Sequence, residues 1–125
     1  MENTIIIDSD ILIDFFRKNV EIVKWINENK SKVNFATTII NVFELYTGAY
    51  KSINPAKRVE ELENFLKTIQ IFEFTLTSAK EAGNQRAFLE KRGLMIDMRD
   101  LLIGVIALSN SFPLKTNNKK HFERI

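Results

Sequence analysis

Every aspartate of this chain falls in one of two short windows: Asp8, Asp10 and Asp14, then Asp97 and Asp100. The first window lies inside "IIIDSDILIDFF" (residues 5–16), among the most hydrophobic stretches of the sequence. A carboxylate in an apolar frame is costly unless something compensates its charge. Glu44 shares the predicament, flanked by Val42, Phe43, Leu45 and Tyr46. Alone, Glu44 is equally well read as a partly exposed helix residue. Asp8, Glu44 and Asp100 together, each in an apolar setting, call for a shared cation. With one histidine (His121) and no cysteine to offer softer ligands, all-oxygen donors point to Mg²⁺ or Mn²⁺. Most other glutamates, among them Glu60, Glu61, Glu63, Glu81 and Glu90, sit in polar helical stretches and read as solvated faces.

The elements that must position these acids follow from periodicity. Residues 5–7 form a β-branched run without polar alternation, which predicts a strand covered on both faces and ending at Asp8. Asp10 is then the expected N-cap of a helix over residues 11–17, with a second helix over 21–29 around Trp25. "KVNFATT" predicts a strand and "IINVFELYTGAY" a helix. Pro55 is suited to start the helix "AKRVEELENFLKTI", with Val59, Leu62, Phe65, Leu66 and Ile69 on one face. "IQIFEFTL" alternates as a strand. "SAKEAGNQRAFLEKRG" predicts a helix opened by Ser78 and closed by Gly93. Asp100 opens "RDLLIGVIALSNS", a helix apolar nearly all round and therefore central; its carboxylate suits the positive end of the helix dipole. "FPLKT" is a candidate last strand, and "KKHFERI" a terminal turn or helix. Strands alternating with helices predict an α/β fold with a mostly parallel sheet and helices on both faces, where ligands gather at the carboxyl ends of the strands.

The totals restrict the function classes. At 125 residues, 45% hydrophobic and 27% charged, the chain has the profile of one globular domain (1–125) and not of a disordered segment. No apolar run reaches the ~18–20 residues needed to span a bilayer. Met1 leads almost directly into "TIIID" with no basic n-region, so no secretory signal is expected. The lack of cysteine excludes disulfides and thiol catalysis and fits a reducing cytoplasm. A net charge of +2 is too small to mark a nucleic-acid binder by itself. The final "KTNNKKHFERI", however, sets Lys115, Lys119, Lys120 and Arg124 against Glu123 alone. Taken alone it is a solvated terminus; beside an active site it becomes a phosphate-facing rim.

Four motifs in order give the chain a resemblance to the PIN-domain ribonucleases and, in size, to the VapC toxins of prokaryotic toxin–antitoxin pairs. "IIIDSDILIDFFRKN" resembles the opening strand, acid and helix of that family. "TTIINVFELYTGA" is similar to its second motif, "GLMIDMRDLLIGVIAL" to the third, and "FPLKTNNKKHFERI" to the closing motif. The resemblance implies a three-layer α/β/α sandwich and a metal-dependent endoribonuclease, in which carboxylates hold one or two Mg²⁺ or Mn²⁺ and a metal-bound water attacks the phosphodiester. It implies Asp8, Glu44 and Asp100 as the acidic core, Asn118 at the family's fourth Asp or Asn, and Thr116 at the Thr/Ser that supports it. Asp10 stands where the family often has Asn, adding charge to the site or capping the helix. Asp97 is an extra acid, a metal ligand or a solvated loop residue. Lys115 replaces an apolar residue usual in the last strand, and His121 reads as structural and not as a general base. Lys119 and Lys120 become candidate RNA contacts. The family also implies a homodimer and a small antitoxin partner lying across apolar helical surface; "VEIVKWI" and "LYTGAY" offer such surface, although core packing explains them equally well.

Other readings fare worse. Asp-x-Asp after a strand also opens the haloacid-dehalogenase phosphatases, but those expect Thr or Val where Leu12 stands. A response-regulator receiver needs a mid-chain phosphoacceptor aspartate, and residues 15–96 contain none. A PIN-like scaffold without catalysis would have no need of Asp8, Glu44 and Asp100, and a nuclease of RNA maturation or decay stays open beside the toxin.

Overall fold

The computed structural model describes residues 3–123, the side chain of His121 excepted, so the expectations for His121 and Arg124 lie outside the described residues. Four strands form one sheet: β1 (Asn3–Ile7), β2 (Val33–Thr38), β3 (Gln70–Phe72) and β4 (Leu114–Lys115). Their order is β3-β2-β1-β4, and every described pairing is parallel. From β1 the chain steps outward to β2 and β3, then crosses back to lay β4 on the other side of β1. The direction of winding therefore reverses between β1 and β4, and the crevice for a ligand opens at the carboxyl ends of those two strands.

The alternation of side chains along β1 builds the layers. Ile7 joins a core with Ile11, Leu12, Leu45 and Leu62, supported by Ile5, Ile22, Trp25, Phe35 and Phe65. Beside Ile5 and Ile7 of β1 and Phe35 of β2, these residues come from α1 (Ser9–Phe16), α2 (Val20–Asn29), α3 (Ile39–Tyr50) and α4 (Pro55–Leu66). Ile6, pointing the other way, packs with Ala36 and Ala107. Ala107 belongs to α6 (Met98–Ser109), and α6 packs with α5 (Leu76–Lys91) through Ala82, Leu101 and Val105. The result is the expected α/β/α sandwich. Complete burial of Ile11 and Leu12 contributes about 1.5–3 kcal/mol each, which fixes α1 against the sheet. As its composition predicts, α6 is central: Leu101, Ile103, Gly104, Val105, Ile106 and Ala107 are all buried.

Several boundaries differ from the sequence reading, each for a local reason. The N-cap of α1 is Asp8, whose side chain accepts from Ser9 N, so Asp10 lies in the first turn and is not the cap. Thr75 caps α5 and bonds to Ser78 N, leaving Ser78 inside the helix. Gly93 follows α5 at φ 68, a conformation that glycine adopts without steric cost. Asp97, and not Asp100, caps α6. The alternating "IQIFEFTL" yields only the three residues of β3, an edge strand paired with β2 alone. Ile69 falls beyond the end of α4. Lys115 pairs with Ile7 in β4 and sets its Nζ 4.9 Å from the Trp25 ring centroid, a cation–π contact that lets a lysine occupy a half-buried strand. Trp25 and Tyr46, from the two apolar segments considered for partner binding, pack against the core. The last element, α7, covers Lys119–Phe122.

Candidate active site

Asp8 sits where β1 ends and α1 begins, and it is completely buried. Its Oδ1 accepts from Ser9 N at 2.7 Å and from Asn41 Nδ2 at 2.9 Å, and its Oδ2 accepts from Thr116 Oγ1 at 2.7 Å. Thr116 follows β4, so the two strands flanking the switch point contribute one partner each.

Helix α3 supplies the next pair. Its N-cap, Thr38, bonds to Asn41 N through its side chain. Asn41 and Glu44, three residues apart, project from one face toward α1. Asn41 is fully buried: its Oδ1 accepts from Thr38 Oγ1 at 2.7 Å, and its Nδ2 also donates to Ser9 Oγ at 2.8 Å. Ser9 Oγ in turn donates a hydrogen bond to Glu44 Oε1 at 2.7 Å. A continuous chain of hydrogen bonds thus runs from Thr38 through Asn41 and Ser9 to Glu44, holding Asp8 on the way. Among the described residues, no buried side-chain polar atom lacks a partner.

Helix α6 brings Asp100 in its first turn, buried, beside the cap Asp97, whose Oδ1 accepts from Arg99 N at 2.9 Å. Between Asp97 and Asp100 lies the residue that links the acids. Arg99 donates Nε to Glu44 Oε2 at 2.5 Å, one terminal nitrogen to Asp100 Oδ1 at 2.6 Å, and the other to Asp8 Oδ1 at 2.5 Å. One guanidinium therefore serves all three acids. Burial by itself lowers the Arg99 pKa, but the hydrogen bond to Glu44, the charge of Asp8 and the bonds to Asp100 and Asp8 prevail and raise it further above its already high range.

Asp10 forms a second carboxylate centre at the rim. Its Oδ1 accepts from Ile11 N at 2.7 Å; its Oδ2 accepts from Asn117 N at 2.9 Å and Asn118 Nδ2 at 3.3 Å. Its pKa is raised, chiefly by burial and also by the charge of Asp8, against the lowering effect of its bond to Asn117 N. Asp14, one turn on, accepts from Asn117 Nδ2 at 3.2 Å. Asn118 N donates to Thr116 Oγ1 at 3.0 Å, so Thr116 both supports the Asn118 backbone and anchors Asp8.

The cavity over this constellation measures about 640 Å³ and is lined by Ser9, Asp10, Glu44, Asp97, Asp100, Asn118 and Lys120, among others. The sequence-predicted residues therefore converge, with differences in kind. Asp8, Glu44 and Asp100 each bond to Arg99, Asp10 and Asn118 pair with each other, Asp97 caps a helix at the edge, and Lys120 is at the mouth. Lys119 is exposed and lies outside the cavity lining.

Arg99, Asn41 and Ser9 were not foreseen. Signals existed: Asn41 is a polar residue inside the apolar run "IINVF", and Arg99 is the only basic residue between Gly93 and Leu114. Among the described residues, no group of three or more acids is already arranged to hold a metal ion. The donor set nevertheless suits a hard cation: three carboxylates from three elements, all oxygen, already sharing one positive charge.

Comparison with known proteins identifies the family and the fold. A family model described as PIN domain matches residues 5–125. Among curated proteins, ribonuclease VapC2 of Haemophilus influenzae is 34% identical over 120 residues, covering 95% of this chain and 89% of that one. The tRNA(fMet)-specific endonuclease VapC of Salmonella typhimurium is 30% identical over 99 residues, covering 79% of this chain and 74% of that one. Among solved structures, VapBC2 from Rickettsia felis bound to a DNA fragment from their promoter superposes with a TM-score of 0.86 at 27% identity, covering 98% of this chain and 92% of the other.

Proposed function

The chain belongs to the PIN domain family, and we propose that it is a VapC-type endoribonuclease toxin, dependent on Mg²⁺ or Mn²⁺, that acts in the cytoplasm and is restrained by a cognate antitoxin. The observation that carries the reading is the convergence of Asp8, Glu44 and Asp100 on one cationic group at the β1/β4 switch point. The curated relatives are named ribonucleases or endonucleases, and solved relatives are VapBC pairs, which supports RNA as substrate and an antitoxin as partner. A homodimer is part of the same proposal.

In this reading Asp8, Glu44 and Asp100 hold the divalent cation, with Asp97 and Asn118 joining from the rim. A bound cation would supply a Lewis acid for the phosphodiester and lower the pKa of attacking water. The protein's own contribution is preorganisation. Thr116 and Asn41 fix Asp8 from opposite oxygens, and Ser9 fixes Glu44. The Asp10–Asn118 pair ties the closing loop to α1. Lys120, at the cavity mouth, offers a positive charge to an incoming phosphate, and Lys119 extends it along the strand.

The test is incubation of the purified protein with tRNA and with rRNA in Mg²⁺, Mn²⁺ or EDTA. Cleavage in either metal and its disappearance in EDTA are expected. Cleavage undiminished by EDTA would refute metal dependence, and no cleavage of either RNA under any condition would leave a binding module as the better description.

A further inference from the structure

Arg99 reaches the acids from within the chain, and its placement has a consequence for metal binding. Its three guanidinium nitrogens each take an oxygen from a different acid: Nε from Glu44, the others from Asp100 and Asp8. Those oxygens are then unavailable to an ion. The Arg99 side chain is 26% exposed while that of Asp8 is 0% exposed, so the guanidinium lies on the solvent side of the deepest acid. Among the described residues, the acids as Arg99 holds them form no ready-made metal-holding group. We propose that Arg99 is a resident competitor for the divalent cation: it holds the acids together without metal and has to leave them for metal to bind. The inference rests on the metal-dependent reading above.

Both halves of the exchange have a physical basis. Without a cation, three carboxylates from β1–α1, α3 and α6 would face one another uncompensated, and Arg99 removes that repulsion. With a cation, a second positive charge at the same oxygens is redundant and repelled. The released side chain has somewhere to go, because the cavity of about 640 Å³ beside it is bounded by Asp97, Asn118 and Met95. Metal affinity in this protein is then a difference between two cations and not an absolute property of the acids.

The experiment is calorimetric titration of the full chain with Mn²⁺, together with thermal unfolding in EDTA and in Mn²⁺, for wild type, Arg99→Gln, Arg99→Lys and Asp100→Asn. Arg99→Gln is expected to melt below wild type in EDTA, to bind Mn²⁺ at least about tenfold more tightly, and to gain more from Mn²⁺ in melting temperature. Arg99→Lys, whose single ammonium cannot bridge three acids, is expected to fall between them and covers the case in which the glutamine variant fails to fold. Equal or weaker Mn²⁺ binding by folded Arg99 variants would overturn the competitor. If wild type and the Arg99 variants all fail to bind Mn²⁺, or Asp100→Asn binds as well as wild type, the metal reading itself falls and takes the competitor with it.

Discussion

Thr116 and Asp8, 108 residues apart in the chain, are joined by a buried hydrogen bond of 2.7 Å from Thr116 Oγ1 to Asp8 Oδ2. It ties the end of the last strand to the end of the first and leaves Asp8 one orientation. Thr116→Val keeps the shape and removes the donor. Stability is expected to fall by about 1–3 kcal/mol in urea denaturation, the cost of an unpartnered buried acceptor, and RNA cleavage to fall with it. Thr116→Ser is expected to retain both; a valine variant as active and stable as wild type would remove Thr116 from the site.

Asn41 carries more of the site's order than its sequence position suggests. It is fully buried and connects Thr38, Ser9 and Asp8. Asn41→Leu leaves the Thr38 and Ser9 hydroxyls and Asp8 short of partners, so a loss of about 1–3 kcal/mol or more is expected in denaturant melts. Cleavage should drop even at temperatures where the variant is fully folded, since Glu44 is positioned through Ser9. Retained cleavage in the folded variant would make Asn41 a purely structural residue.

The two lysines of α7 are separable by salt dependence. Lys120 lines the cavity and Lys119 does not. On single-stranded RNA each phosphate contact contributes about 0.7 to the slope of log affinity against log salt. Lys120→Ala is expected to flatten the slope by about 0.7, and the double alanine variant by about 1.4 if Lys119 also touches phosphate. An unchanged slope in the double variant would remove both from RNA binding.

Much of this site was legible because burial makes charge conspicuous. Asp8, Glu44 and Asp100 stand out against apolar neighbours, and the α/β alternation predicts that strand ends collect them. The helix boundaries were less legible. Asp8 and Asp10 are both good caps, and the choice between them depends on β4, whose following residue Thr116 and neighbour Asn117 recruit the two carboxylates differently. Arg99 was illegible for a different reason. A basic residue beside an acid in sequence suggests a local pair, whereas its partners Glu44 and Asp8 lie 55 and 91 positions away and meet it only after α3, β1 and α6 have packed. The shortness of β3 likewise reflects tertiary pairing, since alternation alone does not reveal that a strand has a neighbour on one side only.

Removal of a charge from the acidic core is the most direct test of the central claim. Asp100→Asn keeps the shape at the start of α6 while lowering the charge facing the cation. Single-turnover cleavage of RNA in Mg²⁺ is expected to slow by about 100-fold or more, the equivalent of losing a few kcal/mol of metal-based stabilisation, with the circular dichroism spectrum and melting behaviour of a folded protein. Folded Asp100→Asn protein that cuts RNA as fast as wild type would contradict the account.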